Sequence, residues 1–186
     1  GIPCGVYWVD RPWAVGNMGY CDFEWDRGRL PDPEGMIHWL AERDCRFLLW
    51  IAPWVLGDMK ADGDRLGYFI PATRKGERGL VDFTNPEAVA WCQGYLKRFI
   101  EVGVAGFKLD RSEEIVPSSL DISTHSGMTS REMHNDYPRM YAEAVHGIIS
   151  ELRGDDFVIM PRAGYTGSQR YAAFWGGDTA GTDWGL

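Results

Sequence analysis

The sequence has no apolar run near the roughly 20 residues that cross a bilayer as a helix, so no spanning helix is expected. Its four cysteines (Cys4, Cys21, Cys45 and Cys92) form no CxxC and no paired Cys/His spacing. That excludes a structural zinc pattern and makes a disulfide scaffold a poor fit at this size; thiols packed as small hydrophobes are the expectation. Basic residues are the minority, 19 Lys and Arg against 27 Asp and Glu, for a net charge of −8. Counterion release needs clustered cations, so neither a nucleic acid nor an anionic membrane is an expected partner. There is no starting Met, basic leader or apolar leader, and Gly1–Asp10 reads as a strand already under way. The compartment is left open, with the cytoplasm as the default.

What remains is a globular composition, 45% hydrophobic and 25% charged over 186 residues, enough for one domain with a core. Nine tryptophans are many. Each offers a flat apolar face with a polar tip, suited either to a large core or to stacking on a sugar ring.

Strand and helix patterns alternate. GVYWVD (5–10), RFLLWIAP (46–53), VAGFKLD (104–110) and DFVIMPR (156–162) read as strands, with YAAFW (171–175) as a fifth. Asp32-Pro33 opens one helix and Asn85-Pro86-Glu87 another, which Gly103 ends. A third helix is placed from about Tyr137 to Leu152, because Pro138 fits only a first turn. Residues 57–79 and 117–130 read as irregular active-site loops, with the acidic stretch 58–64 as a solvated turn.

This order implies a parallel α/β sheet. The first strand runs into Asp10-Arg11-Pro12-Trp13 rather than a glycine-rich phosphate turn, which argues against a doubly wound nucleotide fold. Charged residues instead collect at strand ends (Asp10, Asp110, Arg162, Asp178), where a (β/α)8 TIM barrel builds its active site. Five strands make a partial barrel, about five of eight. The whole of 1–186 is therefore read as the central portion of one catalytic barrel, truncated at both ends. Alternation puts Lys108 and Asp110 on one face, with Phe107 and Leu109 on the other. Trp8 and Asp10 repeat the arrangement on the first strand.

Several stretches resemble glycoside hydrolase family 31, the retaining α-glycosidases: Gly106-Phe107-Lys108-Leu109-Asp110-Arg111-Ser112-Glu113, Asp82-Phe83-Thr84-Asn85-Pro86, Met133-His134-Asn135-Asp136-Tyr137, and Arg162 followed by Phe174-Trp175-Gly176-Gly177-Asp178. They stand in family order over nearly the whole chain. The resemblance implies Asp110 as nucleophile and Asp178 as general acid/base. It implies Asp10, Lys108, Arg162, Trp175, Trp54 and Trp50 as substrate-binding residues, with Glu113 and Arg111 in support. Arg111 departs from the apolar residue more usual after the nucleophile.

The chemistry expected is retaining hydrolysis of an α-glycoside (xyloside, glucoside or galactoside), with an α-linked oligosaccharide or glycoside as partner. Two carboxyls carry the proton and the covalent bond, so no cofactor and no metal is called for. Lys108 is expected to keep Asp110 ionised, with Arg162 adding to this if it lies close, and partial desolvation beside Trp175 with the bound intermediate's charge distribution to keep Asp178 protonated. The alternatives are a non-catalytic sugar-binding barrel and an α-transglycosidase. An open five-stranded sheet implies that the isolated chain is inactive and prone to associate.

Overall fold

The computed structural model describes residues 3–16, 18–19, 21–71, 78–115 and 122–179. Four parallel strands form the sheet: β1 (Val6–Val9), β2 (Arg46–Ile51), β5 (Val104–Leu109) and β6 (Val158–Pro161). Their spatial order is β1-β2-β5-β6, which is also their chain order. With no strand inserted out of turn there is no topological switch point. This is the winding of consecutive barrel strands, as the alternation implied. The register sets Trp8 beside Leu48, Trp50 beside Lys108, and Lys108 beside Met160. Gly106 makes the β5–β6 spacing possible, since a Cβ there would lie 2.2 Å from the carbonyl oxygen of Val158.

Helices cover one face. α1 (Pro33–Ala41) starts where Asp32 Oδ1 accepts from the Gly35 N–H at 2.9 Å. α3 (Pro86–Val102) starts where Asn85 Oδ1 accepts from the Glu87 N–H at 2.9 Å, and it stops at Gly103, φ 116°. Both caps and their prolines are as the sequence pattern demands. Cys92, Leu96, Phe99 and Ile100 of α3 are buried in the core cluster with Phe47, Leu49, Phe107 and Ile159 of the sheet. Truncating fully buried Phe107 to Ala would cost about 3–5 kcal/mol.

Four expectations are corrected. The third helix, α4 (Ser130–Arg153), begins seven residues before Tyr137. A capping box fixes its start: Thr129 Oγ1 accepts from the Glu132 N–H, and Glu132 Oε2 accepts from the Thr129 N–H at 2.8 Å. Pro138 is thus inside the helix, where the packing of Tyr137, Tyr141 and Val145 outweighs its missing donor. Residues 57–66 are not a loop but α2 (Gly57–Leu66), whose Gly63 packs against Phe69 and whose end is Gly67 at φ 73°. A short antiparallel pair follows β2, β3 (Trp54–Val55) with β4 (Gly79–Leu80). Within the second expected loop, residues 116–121 lie outside the described set, and 122–129 carry no helix or strand.

The fifth strand does not form. After a 3-10 turn at Ser168–Arg170, the N–H groups of Ala173 and Trp175 bond the carbonyls of Ile159 and Pro161, at 3.0 and 3.2 Å. Among the described residues no return bond closes the ladder, so the segment lies along β6 without becoming a strand. Among the described residues the sheet therefore counts four strands of a barrel. The last correction concerns Cys4, which is exposed, whereas Cys45 and Cys92 are buried as expected.

Candidate active site

The sheet face away from the helices carries Trp8 and Asp10, Trp50, Lys108 and Asp110, and Met160 and Arg162, as alternation requires. Lys108 is buried at 8% exposure, and burying an ammonium without a partner is costly. Its Nζ donates to Asp10 Oδ2 at 2.9 Å and sits 4.3 Å from the Trp8 ring centroid and 4.2 Å from that of Trp175. One anion and two π-faces thus replace its water.

Asp110 follows directly after β5. Its Oδ2 accepts from Trp50 Nε1 at 3.1 Å, and its Oδ1 accepts from the Arg111 N–H at 3.0 Å. Its ion-pair partner is Arg162, whose Nη1 lies 2.9 Å from Oδ1. This corrects the assignment of that cation to Lys108, which sits two residues deeper on β5 and pairs with Asp10 instead. Arg162 gathers three acids: the same Nη1 lies 3.4 Å from Asp178 Oδ2, and Nη2 is paired with Glu113. The hydrogen bond to Glu113, helped by the charges of Asp110 and Asp178, pushes the guanidinium pKa up and keeps it cationic.

The two contacts on one nitrogen bound the geometry. The Asp110 and Asp178 oxygens can be no more than 6.3 Å apart, the sum of their distances to it. Gly177, φ 74°, supplies the left-handed turn that returns Asp178 over the sheet end. The expected desolvation of Asp178 is not found, because its side chain is 82% exposed. An open region of about 570 Å³ adjoins these groups, lined by Glu113, Arg162, Ala163, Gly176, Gly177 and Asp178.

Trp50 and Trp54 are both buried. Trp50 reaches the site through its indole N–H on Asp110. Trp54 does not join that group: its Nε1 donates to Glu114 Oε1 at 3.0 Å. Of the other tryptophans, Trp13 fills the core and donates to the Trp50 carbonyl at 2.8 Å. The richness in Trp therefore serves the core and the site together. Trp175 Nε1 is buried and has no hydrogen-bond partner among the described residues, a donor left over beside Lys108.

Two residues escaped the sequence reading. Glu114 accepts from Trp54 and, at 2.7 Å, from the Ser112 N–H, while Arg111 Nη1 approaches it at 3.8 Å. Burial pushes its carboxyl pKa up. It closes a turn in which Arg111 (φ 69°) and Ser112 (φ 85°) are both left-handed. Neither is glycine, so nothing local announces the turn. Arg11 is the other, its guanidinium 6.0 Å from the Trp50 ring centroid. The signal available was its place directly after Asp10.

A parallel sheet wound in chain order, with a paired carboxylate set at the C-terminal strand ends, defines an enzyme domain of the α/β-barrel class. The model of the glycosyl hydrolases family 31 TIM-barrel domain matches residues 1–185, and the chain belongs to that family. An alpha-xylosidase of Emericella nidulans is 32% identical over 193 residues, which cover 97% of this chain and 24% of that protein. A sulfoquinovosidase of Escherichia coli is 29% identical, covering 95% of this chain and 27% of that protein. A GH31 alpha-xylosidase from a soil metagenome, solved with xylose, superposes with a TM-score of 0.83 at 29% identity; the match covers 97% of this chain and 28% of that one. The chain thus spans about a quarter of the length of these relatives.

Proposed function

We propose that this chain carries the reacting groups of a retaining α-glycosidase and forms the central portion of its catalytic barrel. The observation that carries the reading is the convergence of Asp110 and Asp178 on one guanidinium nitrogen, whose 6.3 Å upper bound admits the about 5–5.5 Å that retaining enzymes use between their carboxyls.

In the first step a carboxylate oxygen of Asp110 attacks the anomeric carbon. The bond from that carbon to the aglycone oxygen breaks, and Asp178 gives that oxygen its proton. In the second step Asp178 takes a proton from water, whose oxygen displaces Asp110 and restores the α-configuration. Trp50 and Arg162 hold the attacking Asp110 carboxyl in place, by a hydrogen bond at 3.1 Å and an ion pair at 2.9 Å. Lys108 and Asp10, a matched donor and acceptor deeper on the same face, suit the hydroxyls of an α-xyloside, α-glucoside or α-galactoside.

The test uses this chain within a closed barrel. Asp110→Asn lowers turnover of an aryl α-glycoside by at least about 10³-fold. A denaturing quench of the unaltered enzyme finds one glycosyl unit on the peptide containing Asp110. Asp178→Ala slows substrates with poor leaving groups far more than those with good ones. Full activity of Asp110→Asn would remove the assignment.

A further inference from the structure

Directly after Asp110 the backbone enters a conformation that side chains resist. Arg111 (φ 69°) and Ser112 (φ 85°) are both left-handed and neither is glycine, so each crowds its own Cβ against the backbone. Such residues persist only where their surroundings over-determine them. The turn they make reaches Asp110 from two directions. It aims the Arg111 N–H at Asp110 Oδ1, 3.0 Å away. It also returns Glu113 to Arg162, whose Nη1 lies 2.9 Å from the same Asp110 oxygen. Both contacts on that oxygen therefore lead back to the turn. Glu114 is the side chain that closes it: Oε2 accepts from the Ser112 N–H at 2.7 Å, and Oε1 accepts from Trp54 Nε1 at 3.0 Å. Trp54 is a firm support, buried and paired with Leu80 across β3 and β4. On the far side of Glu114, buried Ile115 has its carbonyl hydrogen-bonded to His134 Nδ1 near the start of α4. Ser112 is 1% exposed, so water does not take over its bond to Glu114 if that bond is lost.

We propose that Glu114 is a positioning residue for Asp110, a role that rests on Asp110 being the attacking group. It holds the Arg111–Ser112 turn in its left-handed form and so keeps Asp110 Oδ1 between the Arg111 N–H and Arg162. Glu114 acts through the backbone and through Glu113, not on the sugar. A glutamine of the same shape is no substitute, because the two carboxyl oxygens of Glu114 meet two separate N–H donors. The glutamine NH2 faces one of those donors, and the turn keeps a single support.

The test uses this chain within a closed barrel, with rates counted per folded molecule well below each variant's thermal midpoint. Glu114→Gln lowers kcat for an aryl α-glycoside about tenfold and changes KM less than about twofold. The fall in kcat/KM is alike for good and poor leaving groups, unlike that of Asp178→Ala, because the displaced group is the one that attacks. Arg111→Gly supplies the rescue. Glycine takes φ 69° without strain, so in that background Glu114→Gln lowers kcat by no more than about threefold. An unchanged kcat per folded molecule, a loss confined to poor leaving groups, or an equal loss in the glycine background would each overturn the proposal. Asp110→Asn is assayed beside these variants. Full activity there removes the nucleophile and this inference with it, whereas its loss of turnover beside an unaffected Glu114→Gln counts against Glu114 alone.

Discussion

Two cations on neighbouring strands face the same side of the sheet and do different work. Lys108 lies inside β5, is nearly out of solvent, and answers to one carboxylate and two indole faces. Arg162 lies just past the end of β6 and answers to three carboxylates, two of them on one guanidinium nitrogen. Depth along the strand accounts for the difference. A compact ammonium can be wrapped by a small cage, whereas a forked guanidinium can hold several acids at once. The deeper region is suited to holding a substrate, and the rim to organising the groups that react.

The sharpest way to break this division is Arg162→Leu in a closed barrel, which leaves Asp110 and its neighbours without a cation. A fall of about 10²–10³-fold in kcat/KM for an aryl α-glycoside is expected, equivalent to about 3–4 kcal/mol of transition-state stabilisation. The loss is chiefly in kcat. Lys108→Met affects Asp10 instead, which is partly exposed and so is partly rescued by water. A smaller fall of about tenfold is expected, chiefly in KM. Equal kcat effects from the two variants would erase the distinction between depth and rim.

Glu114→Gln probes the turn beneath Asp110. Because burial raises the folded-state pKa of Glu114, the wild type is most favoured at pH values below the unfolded carboxyl value. That contribution is lost as pH rises through the folded value. The glutamine has no such dependence, so its thermal midpoint relative to wild type climbs between pH 4 and 7, by about 2 °C. A flat difference across that range would mean that Glu114 is not held by burial. A similarly small effect is expected from Arg111→Gly, which relieves a left-handed backbone at φ 69° and raises the midpoint by about 2 °C. A fall would show that the Arg111 side chain, not the backbone, matters there.

Much of the fold was legible because its signals are local. Asp32-Pro33, Asn85-Pro86 and Gly103 each mark a helix end by the bond they make or the φ they tolerate. Alternation along VAGFKLD was enough to place Lys108 and Asp110 on one face. Where several forces competed, local signals failed. Pro138 argued for a late helix start, but the capping box and the buried face of α4 prevailed. Residues 58–64 are too acidic to suggest a helix, and only the packing of Gly63 against Phe69 makes it intelligible. The stretch 171–175 has strand composition, but a strand needs reciprocal bonds, and β6 supplies only acceptors.

By itself, then, the order of residues determined the alternation of strand and helix, the caps, the face each strand side chain takes, and the stretches that mark the family. Those depend on neighbours within a few positions, where backbone geometry leaves few choices. Only the tertiary structure decided which cation meets which acid, and that Trp54 supports a turn through Glu114. These pairings join segments about 50 to 100 residues apart, and their partners are chosen by distances that no periodicity in the chain encodes.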